Sequence, residues 1–304
     1  MKSLRRLTYP YLIWIAIFTL APLLLVAFYA FTAYDATGKL FFTLQGFNKV
    51  FSTADTVALN IFALKSLFGI DWQVPIYVNV FAKSLEIALF STIICLLIGY
   101  PAAWLLARGE RENRHRGNGN LLLFLFVMPM WMNALLRTYA WLALLEPRGI
   151  INSLLGLVNI GPVQFLYNDF GIGLGMVYNY LPFMVLPIQS VLVKISPSVI
   201  EAAEDLGANR RQTFLRVILP LSMPGVLSGI NMVFMPAMTT FLIPDLLGGG
   251  RYLLIGNAIE RQFMISRDMT TGSALSILLL VFVLASMRIL TRYEKENDEG
   301  GLLT

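Results

Sequence analysis

The segment SPSVIEAAEDLGANRRQTFLRVILPLSMPG, Ser196–Gly225, decides how the chain is interpreted. It is a polar insertion between two long apolar runs, and its pattern predicts two short helices around a turn. Ser198 and Glu201 have the spacing of a capping box, so we expect the first helix to start there. Gly207 suits the left-handed conformation that ends a helix, and we therefore expect it to have a positive φ.

The second short helix of this segment is predicted to begin at Asn209, whose side chain can accept hydrogen bonds from the first turn. It carries three apolar side chains: Phe214, Leu215 and Ile218. Because proline has no backbone N–H, Pro220 and Pro224 are predicted to stop this helix and to lead into the next apolar run.

The first short helix carries a small apolar face, formed at helical spacing by Val199, Ala202, Ala203 and Leu206. Small side chains let another surface approach closely, so one interpretation is a face that binds a partner protein. The other interpretation is a solvated connector lying on the membrane surface. Spacing alone leaves both open.

The segment resembles the signature loop of ABC importer permeases: Glu-Ala-Ala, three residues, Gly, nine residues, an aliphatic residue, one residue, Leu-Pro. The matching positions are Glu201, Ala202, Ala203, Gly207, Val217, Leu219 and Pro220, with Val217 in place of the usual isoleucine. In that family this loop is the coupling helix that docks on the ATPase subunit. The resemblance therefore implies a type I ABC importer permease fold, with residues 194–223 as the cytoplasmic coupling loop.

Four further stretches resemble the spermidine/putrescine permeases, and among them the first of the two permease subunits: Leu96–Arg108, Val127–Trp141, Tyr178–Ile188 and Asp245–Phe263. This implies a second permease subunit, two copies of an ABC ATPase and an extracytoplasmic substrate-binding protein as partners, and the bacterial inner membrane as location. The segment Thr53–Trp72 is longer than is usual in that family.

The composition of the whole chain is that of a membrane protein. Hydrophobic types make up 57% of the 304 residues and charged types 13%, about half the charged share of a soluble domain. The apolar residues form runs of about 20, enough to cross a bilayer as helices. We predict an all-α, polytopic membrane protein with about six spans: 11–31, 84–107, 121–145, 172–193, 224–246 and 272–289.

The orientation follows from the positively charged residues. With the N-terminus inside, most of the 23 Lys and Arg residues fall in cytoplasmic segments, as the positive-inside rule requires. Both termini are then cytoplasmic, residues 32–83 form an outer segment, and residues 293–304 form a charged cytoplasmic tail. We treat residues 1–304 as a single transmembrane permease domain.

Several other classes of protein are disfavoured. The basic residues are scattered rather than gathered in one stripe, so nucleic acid is not an expected partner. The lone Cys95 and the lone His115 are far apart, which disfavours a His/Cys metal site. The sequence has no GxxxxGK[ST] phosphate loop, so we expect no cofactor and no enzyme activity in this chain, with ATP and Mg²⁺ used by the partner ATPase. A secondary transporter or a membrane-embedded enzyme would require repeats or acidic clusters that are not evident.

Candidate residues for a substrate pathway lie within or near the spans. Glu86 and Asp245 are predicted near the outer ends of the second and fifth spans, where a carboxylate is a functional candidate. Trp131, Tyr139, Trp141, Tyr178 and Tyr180 offer aromatic faces that can bind ammonium groups.

Each of these pathway candidates has a second interpretation. The aromatic residues can form an interfacial belt, and Glu86 can pair with Lys83 one helical turn away. Arg137 lies inside the third run, and we expect it to snorkel towards the headgroups or to pair with an acidic residue, with a role in the pathway as the alternative. Cargo consistent with these features is a polyamine, with another small cationic or amino-acid-like solute as the alternative.

Overall fold

Long helices form where the sequence is continuously apolar. The computed structural model describes residues 9–34, 39–59, 73–113 and 121–300, without the side chains of residues 12, 111–113 and 293–300. The helices are α1 Tyr9–Ala30, α2 Gln45–Val50, α3 Ile76–Asn113, α4 Leu121–Val127, α5 Ala134–Leu145, α6 Ile150–Leu157, α7 Asp169–Lys194, α8 Pro197–Asp205, α9 Arg210–Thr239, α10 Leu242–Leu247, α11 Ile255–Met264 and α12 Met269–Gly300.

Five helical stretches are long and apolar enough to cross a membrane: Tyr9–Ala30, Ile76–Glu110, Asp169–Lys194, Arg210–Thr239 and Met269–Arg292. A sixth is obtained by joining Leu121–Trp131 to Ala134–Leu157, two helical pieces bent by 89° at a short break. The prediction of about six spans in an all-α membrane protein is confirmed. α1 has a mean hydropathy of 2.4 and buries none of its most apolar window against the chain, so its side chains are available to lipid.

The predicted third span, 121–145, is wrong as a continuous helix. A 3₁₀ turn at Met128–Trp131 follows α4, and Met132 is extended. The Oδ1 atom of Asn133 then accepts a hydrogen bond from the backbone N–H of Leu135 at 2.8 Å and caps α5. Hydropathy does not detect this break because a single capping side chain causes it.

The predicted fifth span, 224–246, also differs from the structure. The helix begins much earlier, runs to Thr239, and stops where Thr240 becomes extended. Residues beyond it form the separate short helix α10. The segment 146–171, between the predicted third and fourth spans, contains the eight-residue helix α6. Of the long outer segment Thr53–Trp72, residues 60–72 lie outside the described residues, as does His115.

The chain divides into two compact units, of which the first contains residues 1–83 and 254–283. Two antiparallel hairpins stand in it, β1 Thr32–Tyr34 with β2 Leu40–Phe42 and β3 Thr56–Ala58 with β4 Gln73–Pro75. Thr270 donates a hydrogen bond to the carbonyl oxygen of Thr32 at 3.2 Å, which ties the first hairpin to the start of α12. The protein is therefore mainly helical, with two short β-hairpins.

Asp268 organises the start of α12 within the first unit. Its carboxylate accepts hydrogen bonds from the backbone N–H and the hydroxyl of Thr271 and forms an ion pair with Lys49 at 2.8 Å. Burial acts to raise the pKa of Asp268, but the hydrogen bonds from Lys49 and Thr271 outweigh burial and hold the pKa below its ordinary value. The ionised carboxylate is thus the form that the fold favours.

The second unit contains residues 84–253 and 284–304, and its core is the packing of α7 against α9. Glycines let the two helices approach closely. A Cβ atom at Gly225 would lie 2.9 Å from the carbonyl oxygen of Pro187, and one at Gly229 would lie 2.8 Å from the sulfur of Met184. This close packing of small residues is typical of helices in membranes.

Candidate functional site

The helix of the predicted coupling loop, α8, begins two residues before the predicted start, with its N-cap at Ser196 rather than Ser198. Pro197 takes the first helical position and Ser196 precedes it as the N-cap without a side-chain capping bond. The hydroxyls of Ser196 and Ser198 contact each other at 2.7 Å instead. The predicted capping box of Ser198 and Glu201 is therefore wrong, because proline at the first position has its φ already set for a helix.

The end of α8 is the predicted one. Gly207 has a φ of +85°, which confirms the expected left-handed conformation. Its N–H donates to the carbonyl of Glu204 at 2.9 Å, and the N–H of Ala208 donates to the carbonyl of Ala203 at 3.0 Å. These two bonds make a complete Schellman motif, which fixes the direction in which the chain leaves the helix.

The next helix, α9, begins with a full capping box. Asn209 accepts from the N–H of Gln212 and donates its own N–H to the Gln212 side chain, both at 2.9 Å. The predicted cap is confirmed, but the predicted stop is wrong. α9 continues through a π turn at Phe214–Ile218 and past both Pro220 and Pro224 as far as Thr239. A wide turn just before a proline gives its ring room without ending the helix.

The small apolar face of α8 is largely uncovered in this chain. Leu206 is 90% exposed and Val199 is 41% exposed, and Ala202 and Glu201 are exposed as well. Ala203 is half-buried, because it lies at the edge of the face that packs against the rest of the unit. The helix therefore presents its apolar and small residues outward, where burial in another surface would be favourable.

The inner side of the loop packs against the ends of α3 and α7. A cavity of about 330 Å³ lies there, lined by Trp104, Ala107, Arg108, Leu192, Ile195, Ile200, Glu204 and Ile218. The ring of Phe214 meets Tyr100 and Trp104 edge-on, at centroid distances of 5.7 and 5.8 Å. The Tyr100 hydroxyl shares a 2.8 Å hydrogen bond with Ser222. This cluster fixes the π turn to α3.

The aromatic pathway candidates are brought together only in part. Trp141 and Tyr178 meet edge-to-face, with ring centroids 5.1 Å apart. Trp131 packs on Phe124 at 5.4 Å and is 73% exposed. Tyr139 is 47% exposed. Trp141 and Tyr178 thus contact each other, whereas Trp131 and Tyr139 lie at the surface of the chain.

Tyr180, next to that pair along the chain, lies on α7. Its hydroxyl donates to the carbonyl of Pro236 at 3.4 Å. The carbonyl of Pro236 also accepts hydrogen bonds at the end of α9, from the backbone N–H of Thr240 at 2.9 Å and from the Thr239 hydroxyl at 3.4 Å. Tyr180 therefore joins α7 to the point where the fifth span ends.

The two carboxylate candidates lie in different settings. Glu86 is half-buried on α3, inside the second span. Asp245 lies on the short helix α10, since the fifth span ends before it, and its expected place at the outer end of that span is wrong. The Asp245 carboxylate is exposed and accepts no hydrogen bond from the residues that the structure describes. The structure therefore leaves Asp245 open to a cation from outside the chain.

Three residues that hold the loop in place, Tyr100, Trp104 and Ser222, belong to none of the predicted sites. Tyr100 and Trp104 lie in the stretch Leu96–Arg108 that resembles known permeases, and their spacing of four residues places both rings on one face of α3. This spacing is the signal in the sequence that indicates their role.

Comparison with known proteins agrees with this architecture. The family model described as binding-protein-dependent transport system inner membrane component matches residues 1–297. The spermidine/putrescine transport system permease protein PotB of Haemophilus influenzae is 38% identical over 276 residues, covering 89% of this chain and 86% of that protein. PotB of Escherichia coli K12 is 36% identical over 273 residues, covering 88% and 89%.

A solved structure shares the fold at low sequence identity. The crystal structure of a bacterial ABC transporter that imports the acidic polysaccharide alginate matches with a TM-score of 0.69, 17% identity and coverage of 97% of this chain and 95% of that chain. With α8 between the fourth and fifth spans, the helical architecture is that of an importer permease. The chain belongs to the family of binding-protein-dependent transport system inner membrane components and is an ABC importer permease.

Proposed function

We propose that this chain is one of two permease subunits that together form a pathway for polyamines such as spermidine and putrescine. The observation that carries the proposal is the 36–38% identity to PotB proteins over almost nine-tenths of the chain. A polyamine has separated ammonium groups, which bind to carboxylates and to aromatic faces. The exposed Asp245, Glu86 and the aromatic residues Trp131, Tyr139, Trp141 and Tyr178 supply both chemistries.

The energy for transport would come from a separate ATPase, two copies of which hydrolyse ATP with Mg²⁺. The docking element is α8 with its Schellman turn: Glu201, Ala202, Ala203 and Gly207, continued by Leu219 and Pro220 in α9. Its exposed apolar face supports this role, because burying Leu206 and Val199 in a groove of the ATPase would remove apolar surface from water. Both termini and α8 then face the cytoplasm of a bacterium.

The test is uptake by the reconstituted assembly of both permeases, two ATPase copies and the extracytoplasmic binding protein. Labelled putrescine and spermidine should cross the membrane and accumulate only when ATP and Mg²⁺ are present on the side of the membrane that carries the ATPase subunits. Uptake of neither polyamine, with uptake of another small cationic or amino-acid-like solute, would contradict the proposed cargo but leave the importer intact. ATP-independent uptake driven by an ion gradient would contradict the proposed mechanism.

A further inference from the structure

Arg137, in the first turn of α5, is a buried cation for which the described residues provide no acceptor. Its side chain is only 8% exposed, and its Nε atom is completely enclosed without a hydrogen-bond partner. No carboxylate of the described chain lies within 4.0 Å of it. Pairing with an acidic residue, one of the two expected outcomes for Arg137, is therefore not found among the described residues. A buried charge is rarely left in this state, because desolvation is repaid only by a partner.

The position of Arg137 in the helix adds to the cost. The first turn of a helix carries a partial positive charge from its unpaired N–H groups, so a cation there is repelled rather than stabilised. Asn133 caps only one of these groups, through Leu135. The charge of Arg137 therefore needs an anion that the described residues of this chain do not provide.

The described groups around Arg137 do not supply that anion. α10, which carries Asp245, packs against α5, but Asp245 does not reach Arg137. Tyr180 on α7 is near enough to interact electrostatically with Arg137, yet its hydroxyl hydrogen-bonds to Pro236. The terminal guanidinium nitrogens, unlike Nε, are not enclosed, so they remain reachable from outside the chain.

The bilayer and the cargo are poor sources of the anion. Arg137 precedes the end of α5 at Leu145 by eight residues, or about 12 Å along the helix axis. Beyond that end, α6 still exposes Ile150 and Leu157, as a segment in contact with hydrocarbon would. Lipid phosphates lie outside this apolar zone. A polyamine is itself cationic and would be repelled.

We infer that Arg137 is an assembly residue, whose guanidinium binds a carboxylate of the second permease subunit. The inference rests on the proposed two-permease assembly and names one contact that holds it together. An arginine suits this role because its planar group binds a carboxylate through two parallel hydrogen bonds. The contact also neutralises a charge that would oppose a cationic cargo.

The experiment compares Arg137→Met, Arg137→Lys and the matched control Arg148→Met, an exposed arginine just after α5. The complete transporter is expressed with a tag on this chain, and the second permease recovered per tagged chain is measured. Arg137→Met should lower recovery at least about tenfold, because it leaves the partner's carboxylate buried and unpaired. Arg137→Lys should lose less recovery than Arg137→Met, because it keeps the charge but not the two parallel hydrogen bonds, and Arg148→Met should retain all of it.

Photo-cross-linking identifies the acceptor directly. With p-benzoylphenylalanine in place of Arg137, adducts should form with the second permease. Neutralising the carboxylate in the cross-linked peptide should then restore recovery of the Arg137→Met assembly. Full recovery with Arg137→Met, loss of the variant chain itself from the membrane, or adducts only with lipid or with α10 would each overturn the inference. Failure of the wild-type chain to recover any second permease would instead refute the proposed assembly.

Discussion

Substitution of Gly207 tests whether the direction of the chain after α8 controls coupling to the ATPase. At a φ of +85° an L-residue is strained, whereas a Cβ atom there would meet nothing within 4 Å. The cost of a side chain is therefore one of backbone conformation and not of collision. It amounts to about 1 kcal/mol for alanine and about 2–3 kcal/mol for the β-branched valine.

These energies predict a graded loss of the native turn. At 1.4 kcal/mol for each factor of ten, the ratio of native to altered turns falls about fivefold for Gly207→Ala and about 30- to 140-fold for Gly207→Val. Asparagine tolerates the left-handed conformation better than alanine, so Gly207→Asn should be the mildest. Loss of the native turn also removes the two Schellman bonds to Glu204 and Ala203.

The assay measures ATP hydrolysis and polyamine uptake in proteoliposomes containing the complete transporter. Transport should decline in the order Asn, Ala, Val, while the amount of inserted chain stays constant. The matched control is Gly156→Val, since Gly156 also has open space around it but has no positive φ. Normal uptake by Gly207→Val, or equal defects at Gly156 and Gly207, would refute the reasoning.

Four further predictions concern other parts of the chain. Ala203→Trp should uncouple ATP hydrolysis from uptake or prevent ATPase binding while the chain still inserts; full ATP-driven uptake would contradict the docking role of α8. Asp245→Asn should slow polyamine uptake strongly with unchanged assembly, and normal uptake in both this variant and Glu86→Gln would exclude a role for the two carboxylates. Gly229→Val should destabilise the second unit by about 1–3 kcal/mol, because the added atoms meet Met184, and a thermal melt of the purified assembly measures this. Asp268 has a lowered pKa, so its stabilising effect is complete above its unfolded pKa of about 3.9 and is lost as the pH falls through the folded value; Asp268→Asn should remove this part of the pH dependence of melting.

Local signals in the sequence predicted the turn between α8 and α9 well. Gly207 acts through its backbone conformation and Asn209 through its side chain and its own N–H, so both can be recognised from neighbours a few residues away. The predicted capping box is wrong because Pro197 takes the first helical position, which moves the N-cap two residues earlier, from Ser198 to Ser196. The continuation of α9 past Pro220 could not be predicted, since it depends on the π turn that Phe214 makes against α3.

The number of spans followed from hydropathy, but their breaks did not. Hydropathy averages over about 20 residues, and a break needs only one or two. Asn133 ends the continuity of the third span through one hydrogen bond, and Thr240 does so for the fifth by an extended backbone. The break at Thr240 places Asp245 on the separate helix α10 instead of at the end of the fifth span. The apolar pattern could not predict this position of Asp245, because the pattern continues across the break.

The pathway residues are the part of the site for which one sequence carries the least information. In the proposed assembly the pathway lies between two permease subunits, and this chain would line only one side of it. Trp131 and Tyr139 are exposed here, as they would be whether they face a cargo, a lipid or a second subunit. Arg137 shows the same dependence in a stronger form, because its charge has no partner within the described chain. The roles of these residues therefore depend on the surface of the second permease that faces them, and cross-links from position 137 would identify that surface.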